Sequence, residues 1–71
     1  MKFTVTAIAM DRKTRKQVGQ QRDEVINTKT NVLFKGFTNP IDIEKMYEAF
    51  WNDLNPHSTE IVKVINITEI Q

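Results

Sequence analysis

The N-terminal segment constrains the fold more than any other part of the chain, because its side chains alternate strictly. Between residues 2 and 10, Phe3, Val5, Ala7 and Ala9 fall on one face of an extended backbone, and the residues between them fall on the other. A period of two residues with β-branched side chains predicts a strand whose first face points into a core. The remaining chain must therefore supply partner strands and an element that covers this face.

Two further strands are predicted before any helix. Residues 16–26 alternate weakly, with Val18 and Ile26 in one register, and their many charges suit an exposed strand at a sheet edge. Residues 27–30 are short and polar, which favours a turn. The apolar run at residues 32–37 then predicts a third strand.

A helix is predicted between Asn39 and Pro56. Asn39 suits the N-cap and Pro40 the first helical position, while Asp42 places an anion in the first turn. Pro56 ends the helix because proline cannot continue it. Apolar residues recur at helical spacing and predict a buried stripe, formed by Ile43, Met46, Tyr47, Phe50 and Leu54.

The last strand is predicted from Glu60 to Ile70, where β-branched residues dominate. Its apolar positions switch faces, which is typical of a central strand buried on both sides or of a strand with a bulge. We expect the first and last strands to be neighbours. The order β-β-β-α-β predicts a single small α+β domain over residues 1–71, a mostly antiparallel sheet with one amphipathic helix packed on one face. The uncovered face is apolar enough that a homodimer formed through it is an alternative to a monomer.

Charge is divided unevenly along the chain. Residues 1–38 carry eight cations and three anions, a net charge of +5, whereas residues 39–71 carry two cations and six anions, a net charge of −4. Such polarity bears on partners rather than on the fold.

Most of the excess positive charge follows the first strand. Four cations crowd a predicted turn and a fifth comes six residues later, so that together they could neutralise phosphates in a salt-sensitive way. The alternative is a solvated hairpin tip, because no RNA-binding signature accompanies them. The candidate nucleic-acid-binding or ribosome-binding residues are Arg12, Lys13, Arg15, Lys16 and Arg22.

An aromatic group is the candidate protein-binding site. Trp51 lies one residue off the centre of the apolar stripe, beside Tyr47, and Phe37 precedes the helix. Exposed Trp and Tyr are frequent anchors at interfaces, although such residues also form the rim of a core. We expect Tyr47, Trp51 and Phe37 to contact a protein partner if they are exposed.

Catalytic and metal-binding patterns are weak. The chain has no cysteine, and its one histidine, His57, has only Asp53 and Glu60 near it at irregular spacing. Neither a signal peptide nor a membrane span is predicted, so we expect a cytoplasmic protein without a cofactor, a metal or a membrane partner. These features favour a non-enzymatic accessory, regulatory or inhibitory protein of a phage or bacterium that binds another protein.

A partial resemblance bears on the nucleic-acid hypothesis. The start Met1 to Phe3, the helical residues 44–47 and the ending Ile65 to Ile70 resemble the layout of small archaeal ribosomal LX-type proteins. Those proteins carry a basic segment after the helix, whereas residues 55–60 are acidic or neutral here. This departure argues against RNA binding by analogy, and no family is assigned.

Overall fold

The computed structural model describes residues 1–70, which form three strands and one helix. The strands make one antiparallel sheet with the spatial order β2-β1-β3. The helix packs on one face of this sheet, so the predicted α+β class is confirmed. The elements are β1 (Lys2–Asp11), β2 (Arg22–Asn27), α1 (Pro40–Asp53) and β3 (Glu60–Ile70).

The apolar face of β1 lies at the centre of the core. Phe3, Val5 and Ala7 have no solvent-exposed surface, which confirms the face predicted from their alternation. Every other element, and the loop after β2, adds side chains against them; the buried partners are Ile26, Phe34, Ile43, Tyr47 and Val64. Burial of these eight apolar side chains is the main contribution to the stability of a domain of this size.

The strand predicted over residues 32–37 is wrong, because this segment forms successive turns. The Asn31 side chain accepts a hydrogen bond from the backbone two residues later, which closes a turn. Gly36 has a φ of 84°, a conformation that glycine adopts readily, and its N–H donates to the Thr28 carbonyl over 3.1 Å. The turns point Phe34 into the core, whereas Val32 and Leu33 remain 89% and 41% exposed.

The second strand is shorter than predicted. Pairing with β1 covers only Arg22–Asn27, while the earlier part of the predicted strand touches β1 through a single bridge between Met10 and Gln17. The position of β2 at a sheet edge agrees with its charges. Residues 18–21, which include Gly19, interrupt the ladder between these two stretches.

β1, not β3, is the central strand. The predicted pairing of β1 with β3 is confirmed, but the central position expected for β3 is wrong because β3 forms the other edge. The face switch has the second predicted cause, a bulge: Thr6 lies opposite Asn66 and Ala7 lies opposite Val64. Ile65 is the extra residue, so side chains on either side of it change face.

The start of α1 is the predicted one, but its buried face is rotated. The Asn39 side chain caps the helix by accepting a hydrogen bond from the Ile41 N–H over 2.8 Å. Ile43 and Tyr47 are buried as expected. Phe50, predicted as core, is 37% exposed and Leu54, just beyond the helix, is 62% exposed.

The rotation brings two polar side chains of α1 to the backbone of β3. The Asn52 amide accepts from the Val62 N–H over 2.7 Å and donates to the Val62 carbonyl over 3.2 Å. One turn earlier, the Glu48 carboxylate accepts from the Val64 N–H over 2.9 Å and lies 3.6 Å from the Lys63 ammonium. Part of the β3 edge is thereby closed by the helix rather than by another strand.

We expect Asn52→Ala to lower the free energy of unfolding by about 1–2 kcal/mol, because it removes two hydrogen bonds to one residue of β3. Asp53→Ala is the matched control, since Asp53 is exposed on the same helical turn. Urea unfolding of both variants measures the difference. Equal stability of the two would contradict a structural role for the Asn52 amide.

Candidate functional site

The three aromatic residues predicted to contact a protein differ in their exposure. Tyr47 is only 2% exposed, so it belongs to the core and offers little ring surface to a partner. Phe37 is partly buried and meets Phe34 edge-on, with 6.0 Å between ring centroids. Trp51 is also partly buried against the core, with its ring 6.3 Å from that of Tyr47. Of the three, Trp51 has the surroundings most typical of an interface.

Two residues predicted to lie in the buried stripe, Phe50 and Leu54, are instead exposed and lie near Trp51 in the chain. Phe50 meets the indole edge-on at 5.4 Å, and Leu54 lies one helical turn after Phe50. The Arg22 guanidinium stacks over the indole at 5.3 Å from the ring centroid, a cation–π contact that holds the ring in place. We call Phe50, Trp51 and Leu54 the aromatic patch. No sequence signal identifies this patch, because helical spacing places Asn52 off the apolar stripe and only the structure shows that it bonds to β3.

The predicted basic turn is an ordered hairpin tip. The Asp11 carboxylate accepts hydrogen bonds from the N–H groups of Lys13, over 2.8 Å, and Thr14, over 2.9 Å. The bond from Thr14 and then that from Lys13 lower the pKa of Asp11, because both favour its charged form. Arg15 adopts a φ of 63°, which turns the chain back so that the Asp11 N–H can donate a hydrogen bond to the Lys16 carbonyl. We call residues 12–16 the basic tip.

The basic tip gathers four of the five cations predicted to bind nucleic acid. All four are exposed, and within residues 1–70 the single ion pair joins Lys63 and Glu48, far along the chain from the tip. Arg12 is anchored, because its Nε donates to the Ser58 carbonyl over 2.9 Å. Arg22 lies apart from the tip, in β2 and stacked on Trp51.

His57 lies in the loop that the basic tip touches. A shallow cleft of about 310 Å³ is lined by residues 11–13 of the hairpin and by residues 57–59. Within residues 1–70, no three histidine or carboxylate side chains come together to hold a metal ion. The Ser58 hydroxyl accepts a hydrogen bond from the Glu60 N–H over 3.1 Å and so serves the loop. The cleft is thus lined by two cations, one carboxylate and His57.

The sheet face opposite the helix is mixed in character. Ile8 and Met10 on β1 and Ile61 on β3 are half-buried, whereas Val25 on β2 is 61% exposed. Polar and charged neighbours interrupt these apolar residues, among them Asp23, which accepts a hydrogen bond from the Thr6 hydroxyl over 2.7 Å. The face therefore lacks the continuous apolar area typical of an obligate dimer interface.

Comparisons of the chain with family models, with curated proteins and with solved structures find no match. In the part of the chain that the structure describes, no helix has the length and apolar character needed to span a bilayer.

Tyr47 gives the stability of the protein a specific pH dependence. Burial raises the pKa of this phenol, and the nearby Glu24 carboxylate raises it further, while Arg22 opposes them. Above about pH 10 the unfolded chain releases the phenol proton while the folded chain retains it, so stability falls as pH rises. We expect Tyr47→Phe to remove this part of the decline. Urea unfolding between pH 8 and pH 11 tests it; parallel curves for the two proteins would contradict the assignment.

Proposed function

We propose that this protein is a non-enzymatic interaction module that binds a protein partner in the cytoplasm through the aromatic patch, as an accessory, regulatory or inhibitory protein does. The observation that carries this proposal is the exposure of Phe50 and Leu54 beside Trp51. The core does not need these side chains, since α1 turns Ile43 and Tyr47 towards the sheet instead.

The composition of the patch suits a binding surface. Trp and Arg are enriched among the residues that dominate binding energy, and here Arg22 stacks on Trp51 at the centre of the patch. Contacts with Tyr47 and Phe50 restrict the indole before any partner arrives. A side chain that is already ordered loses less conformational entropy on binding.

The double variant Phe50→Ala/Leu54→Ala is expected to weaken partner capture by about tenfold or more, while leaving the fold intact because both side chains are substantially exposed. Val32→Ala is the matched control, since Val32 is 89% exposed in a different part of the molecule. Immobilised wild-type and variant proteins would be incubated with nuclease-treated lysate, and retained proteins quantified by mass spectrometry. Trp51 is less suitable for substitution, because it also packs against the core.

A protein retained by the wild type and by Val32→Ala, but lost from the double variant, would support the proposal. The same proteins on all three surfaces would contradict it. Thermal unfolding of each variant separates lost binding from lost folding.

The basic tip favours a second function, nucleic-acid or ribosome association. Its four cations are exposed on one turn, and two of them, Arg12 and Lys13, also line the cleft that residues 57–59 form on the other side. Phosphates neutralised by such cations release counterions, so that binding weakens as salt rises.

A pair of charge-matched variants tests this second function. We expect Arg15→Gln/Lys16→Gln to reduce the slope of log affinity against log salt for a fluorescent single-stranded RNA by about 1.4, since two phosphate contacts are removed and roughly 0.7 of a counterion is released per contact. Lys29→Gln/Lys35→Gln removes the same charge elsewhere and should leave the slope nearly unchanged. Fluorescence anisotropy between about 50 and 200 mM salt measures both. Identical slopes for the two variants would show that net charge alone matters.

A further inference from the structure

The helix closes only the first part of the β3 edge. The Ala9 carbonyl accepts from the Val18 N–H, so the backbone groups of Ala9 point to the side of β1 on which β2 lies, and those of its neighbours point to β3. Because these directions alternate along antiparallel strands, Thr4 and Thr6 also bond to β3, through their partners Thr68 and Asn66. The backbone groups of Ile67 and Glu69 therefore point away from β1. Within residues 1–70, no side chain or loop bonds to them.

The boundary between the closed and the free parts of the edge is the bulge at Ile65. Asn52 and Glu48 lie four residues apart on α1 and bond to Val62 and Val64, two residues apart on β3. Glu44 is the next member of this series, one helical turn earlier. Its carboxylate has no hydrogen bond to β3 among the described residues, because the extra residue at the bulge shifts the strand out of register with the helix.

A groove follows the free edge. It has a volume of about 240 Å³ and lies between the first turn of α1 and the part of β3 that follows Val64. Its walls are mainly apolar, with Ile41 57% exposed and Ile65 50% exposed, and Glu44 is the one charged residue that lines it.

We propose that this groove and edge bind an extended segment of another protein in which apolar side chains alternate with lysine or arginine. The segment would add a fourth strand beside β3, with its backbone bonded to Ile67 and Glu69. Alternate apolar side chains would contact Ile41 and Ile65, and a basic side chain would meet the Glu44 carboxylate. This site is separate from the aromatic patch and does not depend on the proposed function.

Charge favours a basic partner over a second copy of the chain. Residues 39–71, which supply both walls of the groove, have a net charge of −4. A two-fold pairing of β3 with another β3 would centre near Ile67 and would bring Glu69 of one copy towards Ile65 and Glu44 of the other. Like charges placed opposite each other destabilise a strand pair. A basic strand replaces this repulsion with attraction.

The probe is a synthetic eight-residue peptide, acetylated and amidated, that alternates valine with lysine and threonine. The matched control peptide has glutamate in place of lysine. Titration of this peptide into the protein, followed by NMR, should shift the amide signals of residues 65–70 and of the first turn of α1. Binding should also slow solvent exchange of the Ile67 and Glu69 amide protons, a response specific to strand addition.

Two variants of the protein separate the site from general charge effects. We expect Glu44→Gln to weaken binding of the lysine peptide about twofold to fivefold, and Asp53→Asn, which removes an exposed carboxylate from the other end of α1, to change it less than twofold. Phe50→Ala/Leu54→Ala should bind the peptide normally, so failure here and failure of the proposed function are distinguishable.

Three results would overturn the proposal. The first is that no amide signal shifts at about 1 mM peptide. The second is that the lysine and glutamate peptides bind with equal affinity. The third is protection of the Ile67 and Glu69 amides that grows with protein concentration in the absence of peptide, which would make a second copy the occupant.

Discussion

Three hydrogen bonds between α1 and the β3 backbone determine how the other surfaces are arranged. Glu48 and Asn52 reach the Val62 and Val64 backbone groups, and this fixes the rotation of the helix about its axis. Tyr47 consequently faces the sheet, and Phe50 turns towards solvent. The same bonds close part of an edge strand that would otherwise be open to pairing, so a polar interaction sets the position of the apolar surface.

The basic tip and the groove that contains Glu44 lie towards opposite ends of β1. The basic tip follows Asp11 at one end, and the free part of the β3 edge runs beside Phe3 to Thr6 near the other. The molecule is elongated, with extents of 35 × 20 × 16 Å, so these regions are well separated relative to the screening length at physiological salt, about 8 Å. The electrostatic field of each region therefore interferes little with that of the other.

The positions of the strands and the helix could be predicted from the sequence more accurately than the face that the helix turns to the core. The alternation of β1 and the cap at Asn39 depend on local chemistry, and both were predictable. The turns at residues 32–37 were not, because an apolar run resembles a strand until the φ of Gly36 is known. The placement of Phe50 in the core failed for another reason: helical spacing gives the width of an apolar stripe, whereas hydrogen bonds to a distant strand set its orientation. The turn at the basic run was predicted, but its ordering by the Asp11 carboxylate and the separation of Arg22 from it required the tertiary structure.

The central position of β1 also orders events during folding. Its pairing with β2 is local, but its pairing with β3 joins residues as distant as Lys2 and Ile70. Contacts of such long sequence separation form late, since a large loop must close before they stabilise anything. During synthesis the β1–β2 hairpin therefore emerges with its apolar face uncovered and its second edge unpaired. α1 is made next and can cover the apolar face, whereas the β1 edge stays open until residues 60–70 have been made, and an open strand edge is prone to pairing with other chains.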